Sequence, residues 1–329
     1  MSRAALTLVL LGLATPLAAI WSLSVGAVSV PVSEIINTLF HLDGPRQEFI
    51  INRSRLPRTL LALLTGGALA LSGTIIQALL RNPLASPKVI GINSGAALAV
   101  ILAVMASPEI GLRWLPVSAA FGGIMAAGLV YALSNVRNVS PLRLALVGIA
   151  IGFLCDAWVD FFLVSADTYD ISTPLVWMTG SLWSRGWDHV NAVWQALVLI
   201  SLCCLILYHR LDLMRLGPEQ AAGVGVNVKA ERLLLLASAS LLAALSVSVV
   251  GVVAFVGLMA PHIARKLVGG HHRALLPAAM LVGMILLVMA DAVGRWIWPP
   301  VEVSAGILTA LFGAPFFIFI LLTVRGASE

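Results

Sequence analysis

"LLLLASASLLAALSVSVVGVVAF", residues 233–255, decides how the rest of the chain is read. It carries no charged residue from end to end. A bilayer-spanning helix needs ~20 mostly apolar residues. A membrane barrel strand instead alternates apolar and polar residues over ~10 positions. This stretch is long enough for the first and lacks the alternation of the second, so it predicts a membrane-spanning helix.

The neighbouring sequence repeats the pattern. Across 329 residues the hydrophobic fraction is 60% and the charged fraction 11%, with a mean hydropathy of +1.01. A soluble domain of this size cannot hide so much apolar surface. The expectation is an all-α polytopic membrane protein, one transmembrane domain over 1–329. Its ten spans fall at 4–25, 60–80, 91–106, 114–133, 144–164, 191–207, 233–253, 254–267, 274–296 and 304–324. The opening "MSRAALTLVLLGLATPLAAI" has the look of a signal peptide, but nine spans follow it, so it reads as an uncleaved first span. Cys155, Cys203 and Cys204 all fall inside spans and are odd in number, which predicts buried thiols and neither a disulfide framework nor a zinc site.

Charge placement predicts the orientation. With the amino terminus in the cytoplasm and ten alternating spans, thirteen of the 20 basic residues lie inside, among them Arg3, Arg81, Lys88, Arg137, Arg215, Arg265 and Arg325. Seven lie outside: Arg46, Arg53, Arg55, Arg58, Arg113, Arg185 and Arg295. That bias follows the positive-inside rule, and Trp21, Trp114, Trp177, Trp183, Trp187, Trp296 and Trp298 all fall at the outer interface. Both termini are then cytoplasmic. "NRSRLPR" is a basic cluster on the outer side, readable as a headgroup anchor or as a docking patch for an acidic partner.

The loops carry little chemistry of their own. No "GxxxxGK[ST]" occurs, so the chain has no P-loop. No His/Cys cluster has metal-site spacing; His271 and His272 are adjacent and read as solvated loop residues. No nucleophile–base set is present, so catalysis by this chain is not expected. The longest cytoplasmic connection, 209–232, contains "GPEQAAGVGV". Pro218 suits the first turn of a short helix, Glu219 its amino end, and Gly223 or Gly225 its stop. Such a helix reads equally as a groove-filling contact or a plain connector. In "RNPLASPKVIG", residues 81–91, Pro83 and Pro87 keep a loop separate from the helices around it. Asp156 and Asp160 share one face of the fifth span; a carboxylate there costs roughly 2.5–3.5 kcal/mol on insertion scales, so both are expected to face protein or water. Asp291 and Arg295 are also four apart and placed to pair.

Several motifs in fixed order carry a resemblance. They are residues 55–99, "LALVGIAIG" (144–152), "WMTGSLW" (177–183), "LGPEQAAGVGV" (216–226), "VAFVGLMAPHIAR" (253–265), "GGHHRALLPAAMLVG" (269–283), "LVMADAVGR" (287–295) and "GILTALFGAPFFIFIL" (306–321). Together they resemble the FecCD-type permeases of iron-siderophore and cobalamin ABC importers, and within them the ferric-citrate and ferric-siderophore subunits. The resemblance implies a type II ABC importer permease fold in the bacterial inner membrane. It also implies a second permease subunit, two ATPase subunits that bind the ATP, a periplasmic binding protein and an iron-chelate cargo, within membrane lipid and without nucleic acid or a cofactor of its own. It places a cytoplasmic gate at Asn82 and Leu84 and a second at Ser140 and Pro141. It makes Leu216, Gly217, Pro218, Glu219, Ala222, Gly223 and Gly225 the contact with the ATPase. Arg55, Arg58 and Arg295 match outer arginines that dock the binding protein, while Asp156 and Asp160 are candidates for the cavity wall. A cobalamin or haem importer is the alternative, and a stand-alone secondary transporter, coupled through Asp156 and Asp160, a more remote one.

Overall fold

The computed structural model describes residues 3–40, 48–107, 110, 114–135, 140–165 and 176–324. Four of the basic residues used for orientation, Arg46, Arg113, Arg137 and Arg325, lie outside them. Among the described residues there is no strand. The helices are α1 (Arg3–Ser24), α2 (Val32–Phe40), α3 (Leu56–Leu80), α4 (Ile92–Ala106), α5 (Leu115–Ser134), α6 (Pro141–Ser165), α7 (Trp187–Ile206), α8 (Tyr208–Leu216), α9 (Pro218–Gly223), α10 (Val228–Val250), α11 (Val256–Val268), α12 (His272–Trp296) and α13 (Ala305–Val324). A π-helical turn, Phe49–Arg55, leads into α3, and a 3-10 turn, Pro87–Ile90, leads into α4.

All ten expected spans correspond to helices. Seven described helices are long and apolar enough to cross a membrane; Ile92–Ala106 and Ala305–Ile320 are shorter apolar helices. The eighth expected span differs most. Residues 251–254 are not helical, and α11 has only 13 residues, about 20 Å at 1.5 Å per residue. It is therefore a half-helix, too short to cross alone. The break begins at Gly251 (φ +75°), whose α-carbon packs against the backbone carbonyl of Trp177. Only glycine fits both the left-handed backbone and that approach.

α3 is the centre of the bundle, buried along nearly its whole length. Lipid offers no hydrophobic force between helices, so close association needs small residues at the crossings. "TGGALALSGT" supplies them. Gly66 lies against the Gly283 carbonyl of α12, and Gly73 against the Gly257 carbonyl of α11. Ser72 Oγ donates to the Ala239 carbonyl of α10 at 2.6 Å. Gly95 of α4 meets Gly122 of α5 in the same way.

The bundle thus has two ends, set by α3. The arginine end carries Arg55, Arg58, Arg295 and residues 297–304. The loop end carries 81–91, α8, α9 and the turn between α11 and α12.

A Gly73→Val change puts a side chain onto the Gly257 carbonyl, whereas a Cβ at Gly128 meets nothing within 4 Å. We expect Gly73→Val to destabilise the chain by about 1–3 kcal/mol or more, read as a lower unfolding temperature in detergent, and Gly128→Val to leave it near wild type. Equal temperatures for the two would contradict the packing described.

Candidate functional site

The arginine end holds a buried charge network. Arg58, in the first turn of α3, directs Nε to Asp291 Oδ1 (2.8 Å) and Oδ2 (3.0 Å), and Nη1 to Glu302 Oε2 (2.6 Å). Arg295 reaches the same carboxylate through Nε (3.2 Å), as the four-residue spacing predicted. It then donates to the Val25 carbonyl (2.8 Å) and to the Ser22 carbonyl (2.9 Å). Arg55 closes the end of α1, donating to the carbonyls of Leu23 (2.7 Å), Ser24 (3.2 Å) and Val28.

Arg55, Arg58 and Arg295 do not project as a free basic patch; they are 6%, 7% and 5% exposed. The physical reason is that the last turn of α1 ends beside α3 and α12, and its open carbonyls need donors. Arginines supply them, and Asp291, 1% exposed, balances the charge. Three arginines against two carboxylates leave the network one charge positive. Glu302 is its most accessible member, with a side chain 30% exposed. Arg53, by contrast, is exposed. Arg185, in the loop before α7, lies 3.1 Å from His189 Nε2, and burial lowers its pKa.

At the loop end, α3 stops at Arg81, whose φ of +50° turns the chain out of the helix. Asn82 Oδ1 then accepts from the Leu84 N–H (2.9 Å), an Asx turn that holds the next three residues. Asn82 and Pro83 are exposed and Leu84 half-buried. Beyond them, Ser86, Pro87 and Lys88 share a pocket of about 230 Å³ with the broken segment Val252–Phe255. Phe255 has φ +64°, an unusual conformation for a bulky residue. Asn93, which also lines the pocket, has an Oδ1 that is buried without a partner. α6 meets this loop through Gly148, which packs against the Val89 carbonyl. Ser140 and Pro141 sit two turns earlier, where Ser140 Oγ caps α6 by accepting from the Arg143 N–H (3.1 Å). Among the described residues, 81–91 is a loop packed against α6, while Ser140 and Pro141 form the start of α6.

The segment 209–232 folds as its sequence suggested. α9 begins at Pro218 after Gly217, whose φ of +112° only glycine readily adopts. It ends in paired bonds, Val226 N–H to Ala221 carbonyl (3.0 Å) and Gly225 N–H to Ala222 carbonyl (2.9 Å), with Gly225 at φ +86°. That is a Schellman stop. Leu216, Glu219, Ala222, Gly223 and Gly225 are exposed, while Gly217 and Ala221 are buried. Arg81 Nη2 donates to the Met214 carbonyl (3.3 Å) just before α9, so the loop at 81–91 and the segment 209–232 are directly joined.

Asp156 is half-buried on α6 and Asp160 exposed. Phe153, Leu154, Trp158, Phe161 and Val164 around them are exposed as well. Some residues here were missed. His272 is not a solvated loop residue: it is 2% exposed and its Nδ1 lies 2.7 Å from Asp212 Oδ1. Neither Asp212 nor Glu302 was singled out, because both partners lie far away in sequence. Among the described residues no group of three or more His, Cys, Asp and Glu is placed to hold a metal.

Long apolar helices, a half-helix beside an irregular loop packed against the bundle, and an exposed short helix between two spans define a multi-pass transport permease. The FecCD transport family model matches residues 14–323, and the chain belongs to that family. It is 42% identical over 321 residues to the Fe(3+)-citrate import system permease protein YfmE of Bacillus subtilis (strain 168), covering 97% of this chain and 95% of that one. It is 37% identical to the Fe(3+) dicitrate transport system permease protein FecD of Escherichia coli (strain K12), covering 93% and 95%. It is also 37% identical to the hemin transport system permease protein HmuU of Yersinia pestis, covering 93% and 92%. A solved structure described as an inward-facing metal-chelate type ABC transporter superposes with a TM-score of 0.86 at 32% identity, covering 97% of this chain and 99% of that one.

Removing the shared carboxylate strands two buried arginines. Asp291→Ala should cost about 3–5 kcal/mol, whereas Glu302→Gln, at the partly exposed edge, should cost under about 1 kcal/mol. Thermal unfolding of the full chain in detergent measures both; similar losses would contradict a network centred on Asp291.

Proposed function

We propose that this chain is the membrane subunit of an ATP-driven importer of ferric citrate or a related ferric-siderophore chelate. It works in the bacterial inner membrane with the loop end toward the cytoplasm. The observation that carries the cargo is the 42% identity, over nearly the whole chain, to a ferric-citrate permease. A haem cargo is the second reading, motivated by the 37% identity to a hemin permease.

In this reading α9 enters a groove of a separate ATPase. Its exposed residues are Glu219, Gln220, Ala222 and Gly223, and the last two are small, so the end of the helix and the groove approach closely. Arg81 carries the movement of α8 and α9 to Asn82 and Leu84, which close the path; Ser140 and Pro141 close it from the second subunit's side of α6. Asp156 and Asp160 face a cavity completed by that second permease and disfavour bare anions at a partly dry wall, so a net-anionic chelate needs compensating cations from Arg185 or the second permease. The binding protein docks at the arginine end. Because Arg55, Arg58 and Arg295 are buried, an incoming carboxylate has to displace Glu302 from Arg58 to reach them.

One reconstituted complex tests the reading. A Cβ at Gly223 meets nothing within 4 Å, so Gly223→Trp should fold normally. It should nonetheless abolish ATP-dependent uptake of radiolabelled ferric citrate and substrate-stimulated hydrolysis by more than about tenfold, since a bulky ring blocks close packing. Normal uptake in that variant, or uptake driven by an ion gradient without ATP, would overturn the assignment. In the same assay Asp160→Asn and Glu302→Gln should each change uptake; no change would remove the cavity and docking roles respectively.

A further inference from the structure

The loop end holds a second group of arginines, of which Arg81 serves the transport reading while Arg215 and Arg265 are left without a role in it. Gln77, Arg81, Arg215, Arg265, Gly270 and His272 line a pocket of about 370 Å³. It lies where the ends of α3 and α8 meet α11 and the turn into α12. Among the described residues that line it, none is a carboxylate.

Each guanidinium is fixed from behind. Arg81 Nη2 donates to the Met214 carbonyl at 3.3 Å, Arg215 Nη1 to the Gly270 carbonyl at 2.6 Å, and Arg265 Nη2 to Gln77 Oε1 at 3.4 Å. A guanidinium has five N–H donors, so these bonds position the side chains and leave most donors for something else. The charges of Arg215 and Arg265 repel one another. The nearby carboxylate of Asp212 stands 3.9 Å from Arg215 and is already held by His272 at 2.7 Å. Like charges are therefore gathered around a hollow and anchored to three different elements.

We propose that this pocket binds a phosphate group. The chemistry favours phosphate over a single carboxylate. Three forks converge from different elements, and a tetrahedral phosphate offers an oxygen to each, whereas a planar carboxylate matches one fork. The position favours it as well, because basic pockets among helix ends face the layer where phospholipid headgroups lie. The phosphate is supplied either by an anionic lipid headgroup or by free inorganic phosphate. An acidic side chain from a partner ATPase is the competing occupant. The binding itself does not depend on the cargo or on transport.

The experiment uses the full-length chain purified in neutral detergent, with phosphatidylglycerol, zwitterionic phosphatidylcholine and inorganic phosphate as separate probes. Native mass spectrometry counts bound lipid, and the shift in unfolding temperature follows each titration. Saturable phosphatidylglycerol binding, absent with phosphatidylcholine, identifies a headgroup site; saturation by inorganic phosphate alone identifies a free-ion site. Arg215→Gln combined with Arg265→Gln should weaken the bound probe by at least about tenfold, while Lys229→Gln, an exposed cation outside the pocket, should not. Should the double variant fold poorly, Arg265→Lys keeps the charge, loses the fork, and should weaken binding about threefold. The proposal fails if the arginine variants bind as wild type does, or if neither phosphate probe saturates. It also fails if saturable binding to the lone chain disappears in the complex with its ATPase, which would assign the pocket to a partner's carboxylate.

Discussion

The closeness of α3 to its neighbours is the constraint on which the rest of this structure depends. In a membrane, two helices gain nothing from hiding apolar surface that lipid already accommodates, so they associate by packing. Gly66 and Gly73 let the backbones of α12 and α11 sit where side chains would otherwise stand. With α3 fixed on several sides, both its ends are fixed as well. One end carries Arg58 into the carboxylate of Asp291 (2.8 Å). The other carries Arg81 to the Met214 carbonyl of α8 (3.3 Å). A single helix therefore ties the buried charge network at one end to the loop at 81–91 and the helices α8 and α9 at the other.

That rigidity is also what permits irregular backbone inside the bundle. Non-helical chain at membrane depth survives only when protein or a watery path surrounds it. Ser86–Lys88 and the segment 252–254 are surrounded by protein together, lining one pocket with Leu69 of α3. Gly148 and Gly251 bring neighbouring backbone against them closely enough to exclude lipid. The half-helix α11 follows from this arrangement. Its thirteen residues begin inside the bundle, where Gly257 touches α3.

What could be read from the sequence was local. Ten helices followed from apolar runs, and α9 from Pro218 and Gly225, whose conformational preferences act within a few residues. The pairing of Asp291 with Arg295 followed from helical spacing alone. The boundary read between the spans 233–253 and 254–267 falls inside the break at 251–254, but hydropathy runs unbroken through it, so the exit from the helix at Gly251 was not legible; its cause is the contact of Gly251 with Trp177. The pairing of Arg58 with Asp291 spans 233 residues of sequence, so an arginine that reads as an outer docking charge is in fact buried. His272 beside Asp212 failed for the same reason: adjacent histidines look solvated until α8 is folded against them. Pairings this far apart follow from topology, and no spacing rule reaches them.

We expect α9 and the loop at 81–91 to move as one linked unit, with Arg81 between them. The most direct test is a single cysteine at Leu84, in a chain from which Cys155, Cys203 and Cys204 have been replaced, assembled with the ATPase subunits in a bilayer. The quantity measured is its rate of reaction with a polar thiol reagent, without nucleotide and with ATP held unhydrolysed. The account predicts a severalfold difference between the two states that shrinks when Arg81 is changed to Gln. The same rate in every nucleotide state, with or without Arg81, would contradict it.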